Sequence, residues 1–161
     1  VDTKQQFEVT VERQLQAAFD AAGGAPEVTA IWIYMAFGPG SVGLSETLYS
    51  GGGRTVEAFR LDSLLSTPVG SGRMAWQDRL VHEVNDAFED LIAAYAAHPD
   101  QARPERIIVR YDPATERMDA DFSYRKPDAT TLDPVPIFEA WLEHANATGD
   151  HSADALTRPE D

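Results

Sequence analysis

Two aspartates separated by one residue, Asp119 and Asp121 in the stretch MDADFSY (118–124), are the first candidates for chemistry in this chain. Carboxylates at that spacing suit three roles: ligands for a hard divalent cation, a catalytic acid and base, or fixed negative charge on a surface. Side chains alternate along a strand, so Asp119, Asp121 and Ser123 share one face while Met118, Ala120, Phe122 and Tyr124 share the other. The apolar set belongs against helices, which leaves the aspartates on the opposite face, roughly 7 Å apart by the rise per residue. A D-x-D pair holds a divalent cation in sugar-transfer enzymes, but a hard cation wants several oxygen ligands and one strand offers too few. A solvated acidic face, with no metal and no cofactor, is the expectation.

Other chemistry-bearing residues show less pattern. His82, His98, His144 and His151 fall in no metal-ligand spacing, and no serine sits in a nucleophile-elbow sequence. The glycine-rich pieces GPGSVG (38–43) and SGGGR (50–54) join strand to strand, while GSGR (70–73) lies in a loop. A phosphate cradle instead needs a strand, a glycine turn and a helix N-terminus in that order. Turn glycines are the expected role. There is no cysteine, which removes disulfides, thiolate nucleophiles and cysteine-based zinc sites together.

The elements that must position these residues are read from periodicity. Phe7, Val11, Leu15, Ala18 and Phe19 recur at helical spacing, and Gly23, Gly24 and Pro26 stop that helix. VTAIWIYMAF (28–37), LSETLYS (44–50) and RTVEAFRL (54–61) predict three strands in a meander. A loop rich in Ser, Gly and Pro follows over 62–75, and Leu80, Val84, Phe88, Leu91 and Tyr95 then mark a long amphipathic helix. RIIVRYD (106–112) and RMDADFSY (117–124) flank a turn at Pro113, and Pro134 and Pro136 introduce a last helix through Phe138 and Trp141. Short connections favour antiparallel pairing. The prediction is an α+β fold, ordered α-β-β-β-α-β-β-α, with about five mainly antiparallel strands and helices packed on one face. Residues 1–145 form one domain in this reading, and 146–161 a disordered acidic tail.

The first strand does not fit a sheet covered on one side. Both of its faces are apolar: Ile31, Ile33, Met35 and Phe37 on one, Ala30, Trp32, Tyr34 and Ala36 on the other. Either a loop or tail covers the second face, or Trp32 and Tyr34 are aromatic anchors of a binding surface. On the long helix Asp78, Glu83, Asp86, Glu89 and Asp90 project away from the apolar stripe and read as a solvated acidic face.

Charge narrows the partners. Thirteen Lys and Arg against 27 Asp and Glu leave a net −14, which repels polyphosphates at long range and argues against direct nucleic-acid binding. The same field speeds encounter with a basic protein, by on the order of ten- to a thousand-fold at low salt. No apolar run approaches a membrane span and the opening VDTKQQFEVTVERQ has no signal-peptide core, so a cytoplasmic protein is the expectation.

Taken in order, IWIYMAFGPGSVG, ETLYSGGG, the spacing W-x3-L-x3-V-x3-F-x2-L-x3-Y from Trp76 to Tyr95, and RIIVRYDPATERMDADFSY resemble the YezG-like immunity proteins of bacterial polymorphic toxin systems. The resemblance spans roughly residues 5–145 and is strongest in the final hairpin and the following helix with Trp141. Two departures stand out: Ala102-Arg103-Pro104 replaces an aromatic position before the penultimate strand, and the loop before Trp76 is long. The resemblance implies a non-catalytic antitoxin that binds a cognate toxin, often a nuclease. Its contact surface would include Trp32, Tyr34, Asp119 and Asp121. Two other classes remain open at this point. One is an enzyme or small-molecule binder with a pocket beside the sheet and a cation at Asp119 and Asp121. The other is a module that buries its aromatic face against its own copy.

Overall fold

The computed structural model describes residues 2–40, 42–66 and 73–159. Helix α1 (Thr3–Ala22) leads into strands β1 (Ala30–Phe37), β2 (Gly43–Gly51) and β3 (Arg54–Glu57). Helix α2 (Arg73–Ala97) is followed by β4 (Arg106–Asp112), β5 (Arg117–Ser123) and α3 (Pro134–Thr148). The element order and α+β class are as read from the sequence, and the five strands form one antiparallel sheet in the order β3-β2-β1-β4-β5. Residues 67–72, the middle of the loop expected over 62–75 and most of GSGR, lie outside the described residues. The third strand is shorter than expected, because the chain turns into a 3-10 helix over Ala58–Ser63 that buries Leu61.

Local chemistry sets the helix limits. The Asp2 carboxylate accepts from the Gln5 amide at 2.8 Å while the Gln5 side chain accepts from the Asp2 amide, a reciprocal cap at the start of α1. Gly23 ends that helix at φ 64°, a conformation that costs glycine little. Asp133 caps α3 by accepting from the Val135 amide, with Pro134 in the first turn where its missing N–H is no loss.

Helices α1 and α2 cover one face of the sheet. Ile31, Ile33, Met35 and Phe37 of β1 pack there with Val11, Ala18, Val84, Phe88 and Leu91. The two helices meet partly through polar groups: Thr10 donates to the Ala87 carbonyl and Gln14 to the Val84 carbonyl and the Ser45 hydroxyl. Arg13 clasps Glu83 at 2.9 Å and Asp90 at 3.1 Å across the same junction, and the Glu83 hydrogen bond raises the Arg13 pKa. Two of the acids expected on a free outer face of α2 are thus paired.

The second face is where expectation and structure part. Helix α3 packs there, not beside the other two helices, with Phe138, Trp141 and Ala145 set against Tyr34, Leu48 and Ile108. The doubly apolar β1 required such a cover. The stretch from 146 onward, expected to be disordered, completes it: Ala153 and Ala155 are buried in the same cluster, and Thr157 bridges to Pro127. Backbone pairing holds this segment, through Asp128 to the Leu156 carbonyl and Arg158 to the Lys126 carbonyl, both at 2.9 Å. No helix among the described residues is long and apolar enough to cross a membrane.

Candidate recognition surface

The four residues singled out from sequence fall on one face of the sheet in two cross-strand rungs. Trp32, Arg110 and Asp119 stand side by side on β1, β4 and β5, and Tyr34, Ile108 and Asp121 form the next rung. The alternation argument therefore placed the aspartates correctly, opposite the face that carries α1 and α2. The rungs differ in exposure. Tyr34 is fully buried, its ring 4.8 Å from Phe138 and 5.1 Å from Trp141, so the expectation that it touches a partner is corrected: α3 lies over it. Burial pushes the Tyr34 phenol up, and the charge of Arg106 pulls it part of the way back. Asp121 accepts from the Ala153 amide at 2.7 Å, so this carboxylate pins the C-terminal segment.

The outer rung lines a shallow hollow of about 310 Å³ with Gly149 and His151. Trp32 is fixed within it. Its ring stacks on His151 at 4.4 Å, and its indole N–H donates to Ser50. Ser50 in turn bonds Thr55 at 2.6 Å, and Thr55 bonds His151 Nε2 at 2.8 Å, which closes a ring of hydrogen bonds around the stack. Arg110 lies 5.5 Å from the Trp32 ring and faces Asp119 across the strand pair. A cation is thus already built into this rung. Among the described residues no group of three or more His, Asp or Glu is placed to hold a metal ion. Half-buried Trp32 and exposed Asp119 and Asp121 are what remains of the expected contact set at the surface.

A second feature was missed by the sequence reading. Phe7, Val11, Leu15 and Phe19 form one ridge of α1, and with Tyr111 and Met118 they line a groove of about 420 Å³ between that helix and the β4–β5 hairpin. Glu8, Glu12 and Gln16 form the next ridge and make one rim, and Glu116 in the hairpin turn makes the other. The apolar stripe was expected to be wholly buried. Because α1 turns Thr10 and Gln14 toward α2, the stripe is rotated, leaving Phe19 39% exposed and Met118 48% exposed. Phe7 meets Phe122 at 5.1 Å and Phe19 meets Tyr111 edge-on at 6.3 Å, so the floor is aromatic. The signal available in sequence was the repeat of Glu8 and Glu12 one position beyond Phe7 and Val11.

The groove borders β5, one edge of the sheet. The other edge is blocked. Asn146 of α3 accepts from the Thr55 amide and donates to the Thr55 carbonyl, both at 2.8 Å, standing in for a neighbouring strand at β3. On the same flank burial, and then the charge of Glu57, push the Glu46 carboxyl up to about 7. Comparison with known protein families and with curated proteins finds no match to this chain.

Proposed function

We propose that this chain is a non-catalytic immunity protein that binds and neutralises a cognate toxin with a basic, nuclease-like domain. The observation that carries the reading is the aromatic groove beside β5, rimmed by Glu8, Glu12 and Glu116 in a chain of net charge −14. A nuclease must present Lys and Arg to phosphates, and an acidic surface can occupy the positions those phosphates would take. The apolar floor supplies the desolvated anchor sites that charge alone lacks, since rim charges mainly speed association while buried aromatic contacts slow dissociation. Around β5 the two kinds of group alternate: Met118 and Phe122 face α1, while Asp119 lies on the other side beside Trp32. A partner gripping this edge meets acid and aromatic groups on both sides.

The test is titration against the toxin encoded by the neighbouring gene. Saturable binding is expected at low salt, weakened about tenfold or more by Glu8→Lys combined with Glu12→Lys, a change of at least about 1.4 kcal/mol. Both positions are exposed on α1, so the variant retains its fold. No binding by the unaltered chain at low salt overturns the proposal.

A further inference from the structure

Four of the 13 basic residues of this acidic chain surround a single pocket. Arg103, Arg106, Lys126 and Arg158 line a cavity of about 390 Å³ at the end of the sheet, between the loop that leaves β1 and the start of α3. Phe37, Leu132 and Ile137 form its apolar part, and Glu105 is the acid on its wall. Arg106 is the unusual member, because it is only 2% exposed. Its Nη1 donates to the carbonyls of Ala153 and Ala155 at 3.1 and 2.6 Å, whereas among the described residues Nε and Nη2 have no hydrogen-bond partner. Its guanidinium carbon lies 5.5 Å from the Tyr34 ring. Buried donors left unmade on a charged group are costly, and a guanidinium fork matches the two oxygens of a carboxylate or phosphate.

The walls are held by the same kind of group. Arg103 donates to the carbonyls of Gly38 and Gly40 and lies 5.4 Å from the Phe37 ring, which fixes the loop after β1. Arg158 donates to the Ala129 carbonyl at 3.2 Å, and Lys126 is exposed at the mouth. The overall charge of −14 does not prevent an anion from binding here, because at physiological salt exposed charges are screened beyond about 8 Å. On the pocket lining itself the four cations outnumber the one acid, Glu105.

We propose that this pocket binds a small organic oxyanion, a carboxylate or phosphate carried on a compact apolar body. The charged end meets Arg106, with Lys126 and Arg158 at the rim, and the body lies on Phe37 and Ile137. This site is separate from the acidic groove, so its test is independent of toxin binding.

The probes are benzoate, phenyl phosphate and inorganic phosphate, with benzylamine as the cationic control, titrated into the isotope-labelled full chain by NMR. Saturable shifts are expected at the amides of Gly38, Arg106 and Ile137 with benzoate or phenyl phosphate, and none with benzylamine. Whichever aromatic anion binds more tightly identifies the head group. Lys126→Gln with Arg158→Gln should weaken binding about tenfold. Both positions are exposed, and the backbone pairing of the Arg158 amide with the Lys126 carbonyl stays in place, the Arg158 contact with the Ala129 carbonyl being the one structural bond removed. Absence of saturable shifts with all three anions, or affinities unaltered in the double variant, overturns the site. Inorganic phosphate binding as tightly as phenyl phosphate overturns the role of the apolar floor.

Discussion

Glu46 shows what a single residue contributes here. It sits on β2 opposite Tyr34, on the face that α3 covers, where burial and the nearby Glu57 push its carboxyl from 4.5 to about 7. Glu57 is itself raised by burial and by Glu139, against the pull of Arg60. A folded-state pKa above the unfolded value means that the stability linked to the proton on Glu46 is complete below pH 4.5 and drains away as pH rises through about 7. Glu46→Gln should therefore flatten stability against pH between those limits and leave the variant more stable than the parent at pH 8. Urea denaturation across that range checks this, and parallel curves for the two proteins would contradict it. Some residue placements were legible beforehand and others were not. Alternation put Asp119 and Asp121 on the face away from α1 and α2, because a strand period is a local property. The burial of Tyr34 was not legible, because its cover comes from Trp141 and Phe138, more than a hundred positions later.

At the scale of elements, periodicity located the helices and strands but not the side on which α3 packs. The ordering of the C-terminal stretch, expected to be disordered, was not legible because the segment has no apolar periodicity and is held by other means. Two alanines small enough to be buried, and polar groups reaching from distant strands, do the work. Arg106 holds the carbonyls of Ala153 and Ala155, Asp121 accepts from the Ala153 amide, and Ser123 donates to Asp154 at 2.5 Å. The stack of His151 on Trp32 seals the outer end. Deletion of residues 149–159 should accordingly destabilise the domain by about 3 kcal/mol, since hydrogen bonds to a charged group and a buried apolar contact are lost together. Tryptophan emission should shift to the red as the cover of Trp32 and Trp141 goes. Denaturant melts with tryptophan fluorescence measure both, and an unchanged midpoint and spectrum would show that the segment carries no weight. The shortening of β3 has a comparable cause, in that the chain beyond Glu57 serves the core better as a 3-10 turn that buries Leu61 than as a longer edge strand.

Over the whole molecule the two sheet edges are treated differently, and charge is distributed to match. Asn146 blocks β3, whereas β5 borders the acid-rimmed aromatic groove. The net charge of −14 was visible from composition, but the groove depends on how far α1 is rotated, which Thr10 and Gln14 decide by bonding to α2 and β2. Four of the 13 basic side chains are gathered instead around the cavity beside Arg106, with Lys126 and Arg158 exposed at its rim. If the acidic groove meets a basic toxin domain, long-range attraction should dominate the encounter and be screened by salt. The decisive measurement is the association rate constant with the neighbouring-gene toxin as a function of ionic strength. The account predicts a rate that falls by at least about tenfold between low and physiological salt, with a shallower slope for the Glu8→Lys and Glu12→Lys variant. A rate indifferent to salt, or a slope unchanged by those substitutions, would contradict it.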